Sequence, residues 1–206
     1  MIARAYGNPD ASRVLIQPVD DHDLDGMADE LAAIRRATDD FWLIALKVDD
    51  WNADLSPWAA PPVFGSEGFG GGAQATLDEA LKLCPDDGRP CIIGGYSLAG
   101  LFALWAAHRT DRFAGVAAAS PSVWFPGFAD FMRAHPIRCR RVYLSLGDRE
   151  ERTRNRAMAT VGDRIREVHA RLEAQGIACA LEWNPGNHFR DAALRTAKAF
   201  VWAMGM

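Results

Sequence analysis

The chain has 206 residues, of which 49% are hydrophobic and 24% are charged, and this balance predicts one globular domain whose core needs no disulfide bonds. Its net charge of -4 and pI of about 5.7 exclude a general affinity for nucleic acid or anionic membranes, which requires a basic face. No segment approaches the roughly 18 apolar residues that span a bilayer, and residues 1–14 lack the apolar run of a signal peptide. We therefore expect a cytoplasmic protein without nucleic-acid or membrane partners.

None of the four cysteines belongs to a close C-x-x-C pair. Two of them, Cys91 and Cys179, lie in apolar runs that are typical of buried strands. This pattern favours reduced, packed thiols over a metal cluster, so we expect no metal site.

Strand-like and helix-like segments alternate along the chain. Predicted strands cover residues 14–19, 41–48, 91–95, 113–119, 141–146 and 177–183, and predicted helices cover 24–37, 77–81, 98–108, 153–175 and 191–204. The alternation is typical of an α/β fold, here a three-layer α/β/α sandwich with a mostly parallel sheet of about six strands.

One long segment, residues 49–74, interrupts the alternation and is rich in proline, glycine and aromatic residues. Loops of this length in a compact domain are usually functional or disordered. Three large aromatic side chains, Trp51, Trp58 and Phe64, favour a packed loop that faces a ligand, although a plain covering loop also fits. The glycines of residues 68–72 do not match the G-x-G-x-x-G nucleotide-binding pattern and suggest a flexible lid.

Residues 91–100, CIIGGYSLAG, carry the most informative motif. Ser97 stands between a buried strand and a helix, where a sharp turn strains the backbone and lifts the hydroxyl to the carboxyl edge of the sheet. Such a turn needs small residues two positions away on either side, and Gly95 and Ala99 meet this need. It also aims the Leu98 amide at a developing negative charge. These features favour a nucleophile, although a simple helix N-cap would also place a serine here.

A serine nucleophile needs a base, and His188 is the one histidine of five that follows the last predicted strand. In a parallel sheet the loops after the strands share one edge, so His188 and Ser97 are expected to meet there. The histidine also follows the serine in the chain, as the nucleophile, acid, base order of such sites requires. The alternative is a histidine at a helix start that Asn187 caps.

A carboxylate is needed to orient His188 and to stabilise its cation. The loop GDREE, which begins at Gly147, offers Asp148, Glu150 and Glu151. We favour Glu150 and place Asp148 second. The same acids, mixed with arginines, also fit a solvated charged face.

These motifs resemble the α/β-hydrolase superfamily, and within it an esterase family that includes siderophore esterases and S-formylglutathione hydrolase. The matching stretches are residues 95–100 (GYSLAG), 120–124 (SPSVW), the acidic loop 147–151 and the loop at Asn187 and His188. The resemblance implies a cofactor-free serine hydrolase that cleaves a small-molecule carboxylic ester through an acyl-serine intermediate. The family's sheet usually has eight strands. Because the first strand here is expected at residue 14, the first two of those eight are expected to be missing, which leaves a minimal sheet.

The resemblance further implies that the loop after the first strand supplies a second oxyanion amide beside that of Leu98. Here that amide belongs to Asp20 or Asp21, whose carboxylates would oppose an oxyanion unless they point away. We expect an ester pocket lined by the aromatic residues Trp51, Trp58, Trp124 and Tyr96. Two alternatives stay open: an acyltransferase with the same site, and an inert binding module with the same fold.

Overall fold

The structure, a computed structural model, describes residues 1–206. In chain order its elements are β1 (Ile2–Gly7), β2 (Val14–Val19), α1 (Asp21–Arg35), β3 (Trp42–Lys47), α2 (Trp51–Asp54), β4 (Ala59–Ala60), β5 (Phe69–Gly70), α3 (Ala73–Lys82), β6 (Cys91–Tyr96), α4 (Leu98–Arg109), β7 (Phe113–Ala119), α5 (Phe128–Ala134), β8 (Arg141–Gly147), α6 (Val161–Ala174), β9 (Ala178–Asn184) and α7 (Ala192–Ala203). Two short 3₁₀ helices, Glu150–Arg152 and Met158–Thr160, lie between β8 and α6. None of the helices is long and apolar enough to span a membrane.

Seven strands form the main sheet in the order β1-β3-β2-β6-β7-β8-β9. All neighbours pair in parallel except β1, which runs antiparallel to β3. The predicted mostly parallel α/β sheet is therefore confirmed. The expectation that the first strand lies at residue 14 is wrong, because residues 2–7 add an antiparallel edge strand, and one of the two strands expected to be missing is present.

Helices cover both faces of the sheet. Side chains alternate along each strand, so Val14 and Ile16 belong to one hydrophobic cluster and Leu15 to the other. The larger cluster includes residues of α3, α4, α5 and α6, and the smaller cluster includes residues of α1 and α7. Nearly every residue of α4 is buried, which explains its apolar composition. These layers form the predicted α/β/α sandwich.

The helix predicted for residues 153–175 begins later, at Val161. Residues before it form the two 3₁₀ helices and a turn between them. The Asn155 side chain accepts hydrogen bonds from the amides of Ala157 and Met158, at 3.1 and 3.2 Å. Such local side-chain bonding offers the backbone an alternative to a longer helix.

Residues 49–74 include α2 and the β4–β5 pair, which pack together, and a largely exposed stretch at residues 61–68. Phe69 is buried, and a Cβ added to Gly70 would lie 2.7 Å from Ala53 Cβ. At Gly71, where φ is 77°, an added Cβ would lie 2.6 Å from the Ala59 nitrogen. These glycines allow two backbone segments to touch, so residues 68–72 pack against α2 and the segment at Trp58, and a lid movement of these residues stays a prediction.

Helix α1 buries a carboxyl group. Glu30 is 3% exposed, and Gln17 Nε2 donates a hydrogen bond to its Oε2 at 3.2 Å. Burial disfavours the carboxylate and raises the pKa of Glu30 to about 8.

We expect Glu30→Gln to stabilise the protein increasingly as the pH rises. Folding raises the pKa of Glu30 from 4.5 to about 8, so the contribution of this group to stability is fully present below pH 4.5 and is lost as the pH rises through 8. Glutamine accepts the same hydrogen bond without ionising. The free energy of unfolding of the variant should exceed that of the wild type by roughly 2–4 kcal/mol at alkaline pH and by little in acid. Urea unfolding at several pH values measures this, and a difference that stays constant would contradict the raised pKa.

Candidate active site

Ser97 lies on the turn between β6 and α4. Its φ of 56° and ψ of -116° form a backbone conformation that residues with a side chain rarely adopt. A Cβ added to Gly95 would lie 2.6 Å from Ala99 Cβ, so the turn has room only for glycine there. The Ser97 amide donates to Ala119 O at 3.0 Å, and its side chain makes no N-cap hydrogen bond. The serine therefore occupies a sharp strand-to-helix turn without serving as a cap.

A chain of hydrogen bonds joins Ser97, His188 and Glu150. Ser97 Oγ lies 2.9 Å from His188 Nε2, and His188 Nδ1 lies 2.7 Å from Glu150 Oε2. These residues follow β6, β9 and β8, whose carboxyl ends lie at the same edge of the sheet. A hydroxyl beside an imidazole whose other nitrogen faces a carboxylate is an arrangement that allows proton transfer from serine.

The carboxylate of Glu150 is buried among hydrogen-bond donors. Its Oε1 accepts from the Gly147 amide at 2.6 Å, the Ser120 hydroxyl at 2.7 Å and the Arg195 guanidinium at 2.8 Å. Burial opposes the ionisation of Glu150, but the bonds from His188, Arg195 and Ser120 outweigh burial and hold its pKa below the ordinary value. The group is therefore suited to remain charged beside the imidazole.

The two neighbouring acids of this loop do not face the imidazole. Asp148 Oδ1 accepts from the Gly186 amide at 2.8 Å and so supports the loop before His188. Glu151 pairs with Arg166 at 3.3 Å. This geometry corrects the second-place assignment of Asp148 as the orienting acid.

Two side chains hold the loop that carries His188. The Tyr96 hydroxyl donates to His188 O at 2.8 Å, and the two ring centroids lie 5.2 Å apart. Tyr96 is 7% exposed and does not line the adjacent cleft, which corrects its assignment to substrate binding. Arg195, which is 4% exposed, donates to Glu150 and Asn187 O. Arg195 was not predicted, because its one signal in the sequence, a positive charge among the mostly apolar residues of α7, is shared by Lys198.

A cleft of about 250 Å³ opens beside this chain of hydrogen bonds. Its walls include the aromatic side chains of Trp124 and Phe189 and the guanidinium groups of Arg149 and Arg152. Phe64 packs edge-on against Trp124, with ring centroids 6.0 Å apart, so the segment 49–74 reaches the cleft indirectly. Trp124 is thus a predicted pocket residue that the structure places in the cleft.

The other two predicted tryptophans lie outside the cleft. Trp58 Nε1 donates to Pro126 O at 2.9 Å, and its ring packs 5.7 Å from that of Phe125. Trp51 begins α2 and packs against the larger hydrophobic cluster. Trp58 therefore packs behind Trp124 through its neighbour Phe125, and neither Trp58 nor Trp51 contributes to the wall of this cleft.

The oxyanion candidates lie at two helix N-termini. Leu98 is the first residue of α4, at the positive end of its dipole. The Asp20 amide instead donates to the Asp23 carboxylate at 3.4 Å, and Asp20 Oδ1 accepts from the Asp23 amide at 2.8 Å, which together form a capping box. The Asp21 carboxylate pairs with Lys47 at 2.6 Å. The Asp20 amide is thus already engaged by the Asp23 carboxylate, and Lys47 partly neutralises the Asp21 carboxylate. Of the two amides, that of Asp21 is therefore the better candidate to stabilise an oxyanion.

No protein-family model and no curated protein sequence matches the chain, but solved structures share its fold. The siderophore hydrolase EstA from Aspergillus nidulans is 22% identical, with 93% of this chain and 82% of that chain covered and a TM-score of 0.66. An IroE-like serine hydrolase from Shewanella oneidensis is 16% identical, with coverage of 93% and 69% and a TM-score of 0.73. The Bacillus cereus carboxylesterase is 12% identical, with coverage of 98% and 93% and a TM-score of 0.60. The chain therefore adopts the α/β-hydrolase fold.

Proposed function

We propose that this protein is a serine hydrolase that cleaves a carboxylic ester through an acyl-serine intermediate. The observation that carries the proposal is the hydrogen-bonded chain of Ser97, His188 and Glu150, which begins on a strained turn and whose last two members line an open cleft. Three proteins of similar structure are named a siderophore hydrolase, a serine hydrolase and a carboxylesterase, which supports the same class of reaction.

His188 acts as the base and then as the acid. Its Nε2 takes the Ser97 proton as Oγ attacks the ester carbonyl, and the new C–O bond forms a tetrahedral oxyanion. The imidazolium then gives this proton to the leaving alcohol as the original ester bond breaks. Water attacks the acyl-serine with His188 again as base, which releases the acid and restores the hydroxyl. Glu150, held ionised by its donors, stabilises the imidazolium in both halves.

The oxyanion is stabilised by backbone amides in this proposal. The Leu98 amide lies directly after the nucleophile at the N-terminus of α4, and the Asp21 amide lies at the N-terminus of α1. Donors fixed at helix ends need little rearrangement when negative charge develops, and this is the main source of their effect. The pairing of Asp21 with Lys47 reduces the repulsion that its carboxylate exerts on the oxyanion.

The cleft limits the group of the ester that can bind beside His188. Its volume of about 250 Å³ suits a small acyl or alcohol group, and the rings of Trp124 and Phe189 favour an apolar one. Arg149 and Arg152 add positive charge on one side of the cleft and disfavour a cation there. We therefore propose a short apolar or aromatic group at this position.

A fluorophosphonate probe tests the nucleophile, because an activated serine oxygen bonds to phosphorus and displaces fluoride. The wild type should carry one adduct, mapped to Ser97 by mass spectrometry, and Ser97→Ala should carry none. Ser122→Ala is the matched control, since Ser122 Oγ is buried 3.3 Å from Ser97 Oγ, and this variant should still be labelled. Equal labelling of Ser97→Ala and the wild type would overturn the proposal.

A further inference from the structure

A second cavity, of about 210 Å³, adjoins the catalytic cleft. Phe189 lines both cavities, and its ring lies 5.5 Å from that of His188. The far wall of the second cavity is formed by α1, with His22, Asp23, Asp25 and Glu30, and by the start of α7. A group bound there would lie next to the loop that carries His188.

The acids of this cavity form no ion pair with lysine or arginine, and His22 is the one side chain of its wall that can carry a positive charge. No lysine or arginine forms an ion pair with Asp23, Asp25 or Glu30, although Lys47 pairs with Asp21 nearby. Three carboxyl groups therefore share one small cavity with a single histidine, His22, whose charge acts to lower the pKa of Asp23.

One of these carboxyl groups is buried and only half satisfied. Glu30 is 3% exposed, and its Oε1 has no hydrogen-bond partner in the protein. Gln17 contacts Glu30 through its Nε2, and the Oε1 atom of Gln17 also lacks a hydrogen-bond partner. Buried polar atoms without partners are rare in folded proteins, so this wall is better suited to a ligand that donates hydrogen bonds than to packing.

The raised pKa values of two acids in this cavity also fit a ligand that is positively charged and donates hydrogen bonds. Burial, and then the charge of Asp20, raise the pKa of Asp23 to about 6, and burial raises that of Glu30 to about 8. A positive charge in the cavity would favour the ionised form of both groups. These acids do not converge on one point as metal ligands do, so an organic cation with several N–H donors matches them better.

We propose that this acidic cavity receives a cationic group of the ester substrate, an ammonium or a guanidinium, while the ester itself lies at Ser97 on the other side of Phe189. This inference names a substrate class and rests on the proposed ester hydrolysis. The catalytic cleft carries Arg149 and Arg152, whereas the second cavity carries carboxyl groups. The cationic end of the substrate should therefore bind in the second cavity and an uncharged part in the cleft.

Matched pairs of esters test the inference. Each pair has an alkyl chain of four to eight carbons, on the acyl or the alcohol side, with or without a terminal guanidinium. In the best pair the wild type should show a kcat/KM at least about 10-fold higher for the charged ester. Glu30→Gln and Asp25→Asn should each reduce this ratio towards one. Asp29→Asn, which removes the same charge from an exposed position of α1 outside the cavity, should leave the ratio unchanged.

Calorimetry with butylguanidinium separates this inference from the proposed hydrolysis. Ser97→Ala should bind the cation at pH 7 and release protons, detected as a dependence of the heat on the buffer, because the cation favours ionised Glu30. The double variant Ser97→Ala, Glu30→Gln should bind the cation without this proton release. If no ester is cleaved but this binding occurs, the hydrolase proposal fails and the cation site stands. If neutral and cationic esters react equally in every pair, or if the cation does not bind, the cation site is overturned.

Discussion

Ser97→Ala and His188→Gln are each expected to lower kcat for ester hydrolysis by about 10,000-fold or more, and the double variant should be hardly worse than either single one. The two side chains act as one unit, since Oγ and Nε2 lie 2.9 Å apart and the proton moves between them. Without the imidazole the hydroxyl keeps its proton, and without the hydroxyl the imidazole has no nucleophile to activate. Steady-state kinetics with a short-chain p-nitrophenyl ester on all three variants measure this.

His135→Gln is the matched control for the histidine replacement. His135 is exposed at the end of α5, and its ring contacts Phe131 O at 2.9 Å. This variant should keep the kcat of the wild type. If the losses of the two active-site variants instead multiply in the double variant, Ser97 and His188 act independently and the proposed proton transfer is wrong.

The layers of the fold were predictable because parallel strands buried on both faces have nearly continuous apolar sequences. β3 and β6 are of this kind, and their helical neighbours show the spacing of an amphipathic or fully buried helix. β1 was missed because it is an edge strand with mostly exposed side chains, so its sequence has no apolar pattern. Its place is determined by pairing with β3, a contact that local sequence does not encode.

The positions of Ser97 and His188 were predictable for a different reason. The small residues around Ser97 require a sharp turn, and a parallel sheet brings the loops after its strands to one edge. The choice between Asp148 and Glu150 was not fixed, because both lie in one short loop and the direction of each side chain depends on a 3₁₀ turn. Arg195 was missed because its contact with Glu150 depends on how α7 packs on the sheet.

Glu150 is the third member of the site, and its replacement is also expected to cause a large loss of kcat. We expect Glu150→Gln to lower kcat by about 1,000- to 10,000-fold. The glutamine oxygen can still accept from Gly147 and Ser120, which turns the amide nitrogen towards His188 Nδ1 as a donor. The imidazole then carries its proton on Nε2, and this nitrogen cannot accept the serine proton. Kinetics measured with an ester already cleaved by the wild type will show the loss in kcat rather than in KM.

Asp148→Asn is the matched control, because it makes the same chemical change two residues away. The asparagine oxygen can still accept from the Gly186 amide, so kcat should fall by less than about 10-fold. A larger loss for Asp148→Asn than for Glu150→Gln would reverse the assignment of the acid.

The buried guanidinium of Arg195 complicates the interpretation of Glu150→Gln, because the replacement removes the anion with which it pairs. An unpaired buried charge destabilises a protein by about 3–5 kcal/mol, so the melting temperature of Glu150→Gln should fall along with its activity. The double variant Glu150→Gln, Arg195→Gln removes both charges and should recover much of the stability. Its kcat should stay low, because the imidazole still has no carboxylate to orient it. Recovery of activity together with stability would show that Glu150 acts only by holding Arg195, and the carboxylate would then have no part in proton transfer.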